Sequence, residues 1–430
     1  MNITDLYAIF KEHPSITTDT RNCSKGSIFL ALKGGNFNGN TFARSAIEAG
    51  CSYAIVDEEE YAIHPNIILV EDCLKTLQEL ANYHRRQFKI PVLGITGSNG
   101  KTTTKELVLS VLSQEYNVIA TQGNYNNHIG VPLTLLRITK EHEIAIIEMG
   151  ANHMGEIKAL TEIAEPNYGL ITNVGQAHLE GFGSYENIIK AKGELYDFVR
   201  STKEGKIFVD SSNDVLMKMS EGITVIPYGF GSRDELFVTG RVLASTPFLK
   251  LEWCMASTCY EVETKMVGTY NLSNALAAVT IGKYFGIKSD LICKAIEEYE
   301  PTNNRSQLKE TDKNMLIIDS YNANPTSMKA ALENFKSLEV NHKVLILGDM
   351  KELGPDSDQE HQKIADMVAG NGFDKVIFVG ENFSHVDTKY SRYANFLQLK
   401  DYLVSHPIED SYILLKGSRG MHLEDCIELL

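Results

Sequence analysis

The stretch Gly94-Ile95-Thr96-Gly97-Ser98-Asn99-Gly100-Lys101-Thr102-Thr103-Thr104 constrains this chain more than any other. An apolar β-like run, Ile90-Pro91-Val92-Leu93, precedes it. A helical spacing follows, with Leu107 over Val111 and Val108 over Leu112. The glycines therefore fall at a strand-to-helix turn, the context a phosphate-binding loop requires. Glycine lets backbone N–H groups close on phosphate oxygens, and the helix N-terminus adds partial positive charge. Lys101 would reach the β- and γ-phosphates, and the Thr102 hydroxyl would hold Mg²⁺. The general loop spacing asks for glycine at position 95, and this chain has Ile95 there.

A nucleotide domain of that kind fills only part of 430 residues, so two or three domains are expected. A net charge of −15 disfavours broad contact with a phosphate backbone, so nucleic acid is not an expected partner. An anionic substrate must instead meet a few local cations and backbone amides. No apolar run approaches the length of a membrane span, and the N-terminus shows no basic start or long apolar segment, so no signal peptide is expected. The 7 cysteines have no metal-ligand spacing; their odd number and the lack of Cys-x-x-Cys point to free thiols in a reducing cytoplasm.

Residues 1–85 read as one unit. Residues 27–32, 53–56 and 66–70 have strand character, residues 42–49 read as a helix between the first two, and Leu74, Leu77, Leu80 and Ala81 mark a second helix. Two polar stretches flank the first strand: Thr17-Thr18-Asp19-Thr20-Arg21 and Lys33-Gly34-Gly35-Asn36-Phe37-Asn38-Gly39. Each could offer N–H and hydroxyl donors to an anion or a base, and each could equally be a simple turn.

Residues 86–301 form the central unit. Apolar runs at 144–147, 169–172 and 206–209 alternate with helical patterns, the βαβ rhythm of a parallel, helix-covered sheet. Glu148 and His178 follow strand ends, where open α/β sheets place their ligands. A carboxylate and an imidazole there suit Mg²⁺ or phosphate chemistry. Lys192 lies in a helical stretch and reads by itself as a solvated helix lysine. Residues 249–266 switch to period two, with Leu249, Leu251, Trp253, Tyr260, Val262 and Met266 against charged neighbours, so an antiparallel addition at the sheet edge is expected. A helix from about 271 to 285 carries Asn271 and Asn274 in its first turn, where they can recognise a base edge or cap the helix. Glu300-Pro301-Thr302-Asn303-Asn304 reads as a linker.

Residues 302–430 repeat the βα alternation, with strands expected at 315–318, 343–347, 375–379 and 412–415. Polar residues cluster at the strand ends: Asp319, Tyr321, Asn322 and Asn324; Asp349; Lys416, Ser418 and Arg419. The pattern is Rossmann-like, but no Gly-x-Gly-x-x-Gly follows a strand, so no bound NAD is expected.

Thr96-Gly97-Ser98-Asn99-Gly100-Lys101-Thr102-Thr103 resembles the ATP loop of the Mur ligases, which build the peptidoglycan stem peptide, and the family tolerates Ile95. The resemblance covers nearly the whole chain. Thr18-Asp19-Thr20-Arg21 through Gly26 to Gly34 resembles the family's uridine-diphosphate-binding domain, and Gly268-Thr269-Tyr270-Asn271-Leu272-Ser273-Asn274 its second ATP motif. Gly123 to Leu133, Asp319 to Met328 and Leu347 to Gly354 resemble the branch that adds D-alanyl-D-alanine. The Asp-Tyr-Ala-His and Asp-Asn-Pro-Arg motifs of the tripeptide-forming branch are missing. The chain departs from the family at Lys25, Gly35, Asn38 and Tyr270.

The resemblance implies an α/β protein of three domains: a UDP-substrate domain at 1–85, a P-loop ATPase domain with a parallel sheet at 86–301, and a Rossmann-like ligase domain at 302–430. It implies a monomeric cytoplasmic enzyme in peptidoglycan synthesis, with ATP, UDP-N-acetylmuramoyl-tripeptide and D-alanyl-D-alanine as substrates. The donor carboxylate would become an acyl phosphate that the dipeptide amine attacks. Gly97, Ser98, Asn99, Gly100, Lys101, Thr102 and Thr103 would hold the phosphates, and Asn271, Asn274, Asp319 and Tyr321 the rest of the nucleotide. Thr102, Glu148, His178 and a carbamylated Lys192 would hold Mg²⁺. Arg305 would reach phosphate on domain closure. Thr18, Thr20, Gly35, Asn36, Asn126 and Asn127 would contact the UDP substrate, and Asn322 and Asn324 the dipeptide. A P-loop kinase, a switch GTPase, a folate–glutamate ligase or a UDP-sugar sensor are the rival readings; no Asn-Lys-x-Asp for guanine is present.

Overall fold

A computed structural model describes residues 1–231, 235–302 and 304–430. Of the expected linker, Asn303 lies outside the described residues. Among the described residues the strands form three main sheets and a two-stranded ribbon. Ile16–Thr17, Ile28–Leu30, Tyr53–Val56 and Ile67–Leu69 make a small parallel sheet. The ribbon pairs Lys33–Gly34 with Phe37–Asn38, so the glycine- and asparagine-rich stretch is a tight hairpin.

The nine-stranded central sheet places the P-loop strand, Val92–Thr96, between Tyr168–Ile171 and Ile144–Glu148. That strand runs past the expected residues 90–93 into the glycine-containing stretch. Parallel neighbours on both sides pair it to its end, and at Gly94 a Cβ would lie 2.9 Å from Leu195 Cδ1, so the tight packing needs glycine there. Val238–Ala244, Lys250–Met255 and Thr258–Glu263 form the antiparallel edge that period two anticipates. Leu249, Leu251, Trp253, Val262 and Met266 are buried, while Glu261 and Glu263 are exposed.

That edge carries one correction. Cys254 and Cys259 face each other across the hairpin and form a disulfide, against the expectation of free thiols throughout. The expectation rested on spacing along the chain, whereas the pairing comes from strand register. Cys23, Cys51, Cys73, Cys293 and Cys426 are free.

The two faces of the central sheet bury different partners. Leu93, Ile95, Ile146 and Phe208 pack against the helices Lys101–Leu112, Asn271–Tyr284 and Ser289–Glu298. Val92, Ala145, Ile147, Ile171 and Ile207 pack against Glu156–Ala164 and Tyr185–Ser201. The core of the N-terminal sheet is continuous with this second face, because the helix Cys73–Arg85 carries Leu77, Leu80 and Ala81 across. A third sheet has the order Gln307–Glu310, Asn314–Asp319, Ser411–Lys416, Lys343–Gly348, Lys375–Val379, Ser391–Tyr393, parallel except for its first strand. No helix of the described residues is long and apolar enough to cross a membrane.

Candidate active site

A cavity of about 730 Å³ opens between the carboxyl ends of the central and C-terminal sheets. Ser98 to Thr103, Glu148, His178, Asn271, Asn274, Arg305, Asp319, Tyr321 and Asn322 line it, together with Asn126 and Asn127. Its size is that of a ligand site.

The loop is shaped by two close approaches. Gly97 has φ +145°, and a Cβ there would lie 2.0 Å from Thr172 Oγ1. Gly100, at φ +78°, turns the chain into the helix Lys101–Leu112, and its Cβ would lie 2.7 Å from Asn274 Oδ1. Only glycine fits both. Ser98 and Asn99 are tied to the neighbouring strand end: Ser98 Oγ donates to Gly175 O at 2.9 Å, and Asn99 N–H donates to Asn173 Oδ1 at 3.1 Å. Lys101 Nζ folds back on the loop, donating to Gly97 O at 2.7 Å and Ser98 O at 3.3 Å. Burial lowers its pKa, and the nearby charge of Arg305 adds to the effect. A phosphate in the loop would offer that amine better partners than two carbonyls.

Glu148 ends its strand fully buried. Its Oε1 accepts from Thr102 Oγ1 at 3.1 Å and from Asn126 Nδ2 at 2.8 Å. Its Oε2 is buried with no hydrogen-bond partner. A carboxylate oxygen that has no hydrogen bond among the described residues, lying beside a threonine hydroxyl and a phosphate loop and 3.9 Å from Lys105 Nζ, fits a hard divalent cation. Asn126 is committed to this carboxylate, and Asn127 Oδ1 caps the next helix by accepting from Ile129 and Gly130 N–H groups at 3.1 and 2.9 Å.

Lys192 corrects the solvated-lysine reading. It is 1% exposed, with Nζ over the Phe182 ring at 5.3 Å and donating to Ala151 O at 3.4 Å. Burial, and secondarily the charge of Lys101, lowers its pKa to about 7. It stands behind the cavity wall, of which Ala151 is part.

His178 sits in left-handed backbone at φ 53° with Nδ1 against the Glu352 carboxylate of the C-terminal domain. That contact holds the Glu352 pKa below the usual carboxylate range. Glu352 was not singled out from the sequence, although it lies within the stretch 347–354. Further links join the domains, among them Asn324 Nδ2 donating to Asn99 Oδ1 at 2.7 Å and Gln176 N–H donating to Thr326 Oγ1 at 3.1 Å. Asn324 also caps the helix Pro325–Ser337, accepting from Ser327 N–H at 2.9 Å. Its amide is therefore spent on structure rather than open to a dipeptide.

Arg305 lies 3.6 Å above the Tyr321 ring, with its Nε buried and without a hydrogen-bond partner among the described residues. Asp319 accepts from Lys416 Nζ at 2.6 Å. Asn271 and Asn274 do not cap their helix; Asn271 Nδ2 donates back to Val267 O at 2.8 Å, and Asn274 Oδ1 accepts from Thr104 Oγ1 at 3.0 Å. Thr18, Thr20, Gly35 and Asn36 do not reach this cavity; they stay on the N-terminal unit, where Asp19 caps a turn and pairs with Arg21 at 2.7 Å.

Three comparisons bear on this arrangement. Residues 14–85 match the Mur ligase family catalytic domain, residues 95–282 the Mur ligase middle domain, and residues 304–419 the Mur ligase glutamate ligase domain. The chain is 34% identical to the UDP-N-acetylmuramoyl-tripeptide–D-alanyl-D-alanine ligase of Bacillus subtilis, over 96% of this chain and 92% of that protein. It superposes on a crystal structure of MurF from Acinetobacter baumannii with TM-score 0.86 and 31% identity, covering 96% and 92% of the two chains. MurF ligase from Thermotoga maritima in complex with ADP gives TM-score 0.86 at 25% identity, covering 96% of both chains.

Proposed function

The chain belongs to the Mur ligase family, and from that premise we propose how its cavity works. It is an ATP-dependent ligase that joins D-alanyl-D-alanine to UDP-N-acetylmuramoyl-tripeptide in peptidoglycan precursor synthesis. The observation that carries the mechanism is one cavity that holds together Lys101, Glu148 Oε2 and Arg305 Nε, the latter two atoms without a hydrogen bond among the described residues, contributed by two domains.

A carboxylate is a poor acyl donor because oxide is a poor leaving group. Its oxygen forms a bond to the γ-phosphorus as the bond from that phosphorus to the β,γ-bridging oxygen breaks, leaving an acyl phosphate and ADP. The dipeptide amine then forms the C–N bond, loses a proton and displaces phosphate. Both steps crowd negative charge, so preorganised cations lower their barriers. Lys101 swings from the loop carbonyls to the β- and γ-phosphates, and Arg305 meets the γ-phosphate from the C-terminal side. Mg²⁺ held by Thr102 and Glu148 supplies further positive charge to the phosphates when bound. Asn271, Asn274, Asp319 and Tyr321 surround the rest of the nucleotide. His178, engaged by Glu352, completes the wall on the metal side.

Lys192 belongs to this reading as a carbamate. An amine with a pKa of about 7 has a substantial neutral fraction at physiological pH that can react with CO₂, whereas an ordinary lysine near 10.4 has almost none. The product is an oxygen-donor anion at a place where a bare ammonium would repel a metal. A cavity lined by residues of one chain supports the monomer reading, and an ATP-consuming reaction supports the cytoplasmic one. The test of the mechanism is trapping: ATP and UDP-N-acetylmuramoyl-tripeptide without dipeptide should give a hydroxamate with hydroxylamine. Phosphate release with no trappable acyl group would overturn the acyl-phosphate route.

A further inference from the structure

Lys105 lies one turn beyond Lys101 on the helix Lys101–Leu112, and no part of the mechanism above uses it. Its side chain is 3% exposed, and its Nζ stands 3.9 Å from Glu148 Oε2 and 3.8 Å from Glu106 Oε1. Among the described residues it makes no hydrogen bond. A buried lysine head group is costly unless carboxylates face it, and the two glutamates supply that partner. What the lysine does for them follows from distance. A gap of 3.9 Å is too long for a hydrogen bond but short enough for a strong field. Glu148 Oε1 is already taken by Thr102 and Asn126, so Oε2 is the oxygen left for a ligand. At 3.9 Å Lys105 Nζ holds Oε2 from one side without a hydrogen bond, so the lone pairs of that oxygen stay open.

Glu106 fixes the other side of the lysine. Its Oε2 accepts from the Tyr299 hydroxyl at 2.8 Å, and Tyr299 directly follows the helix Ser289–Glu298, just before the expected linker. The ammonium is thereby held between Glu148 and a carboxylate anchored to the segment that leads into the C-terminal domain.

We propose that Lys105 is a positioning residue for Glu148: it holds the carboxylate in place while leaving the lone pairs of Oε2 open to the metal–nucleotide group. This rests on the reading that Glu148 faces that group, and the experiment separates the two claims. ADP affinity is measured by calorimetry with and without Mg²⁺ in the full chain, for Lys105→Met, Lys105→Arg, Glu148→Gln and the Lys105→Met/Glu148→Gln double variant. Lys105→Met should reduce the Mg²⁺-dependent gain in ADP affinity ~10-fold, the effect expected for loss of a residue that orients a metal ligand. Metal-free ADP affinity should be unchanged, and Lys105→Arg should recover most of the gain. In the Glu148→Gln background, removing the lysine should have no further effect. That double variant removes both buried charges together, so it remains informative if Lys105→Met alone does not fold. An unchanged Mg²⁺-linked gain in Lys105→Met, an equal loss with and without metal, or a further loss in the double variant would overturn the positioning role. A full Mg²⁺-linked gain in Glu148→Gln would instead overturn the reading of Glu148 itself.

Discussion

Lys101 and Lys192 are both buried amines with lowered pKa values, and only one of them can be read from the chain. Lys101 stands at a fixed offset from glycines between a strand and a helix, so its role follows from local spacing. Lys192 lies on a helix whose pattern is ordinary, and its burial arises from Phe182, on the preceding helix, and from the Ala151 backbone, farther away in sequence. Its charge has a consequence for stability. The folded chain releases the proton near pH 7, whereas the unfolded chain keeps it to about 10.4. The cost of burying the cation is therefore full below about pH 7 and fades as pH rises toward about 10. In CO₂-free buffer, Lys192→Met should raise the melting temperature more at pH 6 than at pH 9, as calorimetry can measure. With ¹³C-labelled bicarbonate at pH 8, wild type should show a carbamate resonance that Lys192→Met lacks, and Lys192→Glu should keep more activity than Lys192→Ala. Full activity in Lys192→Ala would contradict the carbamate reading.

At the scale of elements, the periodic signals served well where one face of an element is buried. The edge hairpin at 250–263 was readable for that reason, whereas the helix Asn271–Tyr284 is buried nearly all round and carries no such stripe. The Cys254–Cys259 pairing was not readable, because a cross-strand partner depends on register and turn length rather than on cysteine spacing motifs. Nor was the division of labour between Asn322 and Asn324. Both follow the same strand, yet Asn324 is the N-cap of Pro325–Ser337 and Asn322 lines the cavity. Asn324→Ala should cost about 1 kcal/mol of stability, measurable by denaturant unfolding, because a helix end loses its cap. Asn322→Ala should leave stability unchanged and raise KM for D-alanyl-D-alanine more than KM for ATP. Reversed outcomes would exchange the two roles.

At the scale of the whole molecule, three βα units could be read in the chain, but not how they meet. The N-terminal unit shares its core with one face of the central sheet, and Asn99–Asn324, Gln176–Thr326 and His178–Glu352 join the central and C-terminal domains. Such contacts leave no periodic trace in sequence, since each is a single residue meeting another more than a hundred residues away. Arg305 depends on that meeting, because it approaches the phosphate loop only from the C-terminal side. Arg305→Ala should lower kcat at least ~100-fold, as loss of a preorganised charge does, while the affinity for UDP-N-acetylmuramoyl-tripeptide, measured by calorimetry, changes little. Equal losses in both would make it a folding residue. The central claim, that one cavity activates the tripeptide carboxylate with ATP for capture by a dipeptide amine, is tested most directly by coupled ADP release with mass analysis of the product. With ATP, Mg²⁺ and UDP-N-acetylmuramoyl-tripeptide, sustained ADP release should require D-alanyl-D-alanine and yield one UDP-linked pentapeptide per ADP. Sustained release that ignores the dipeptide, or a product extended by glutamate or a diamino acid instead, would contradict it.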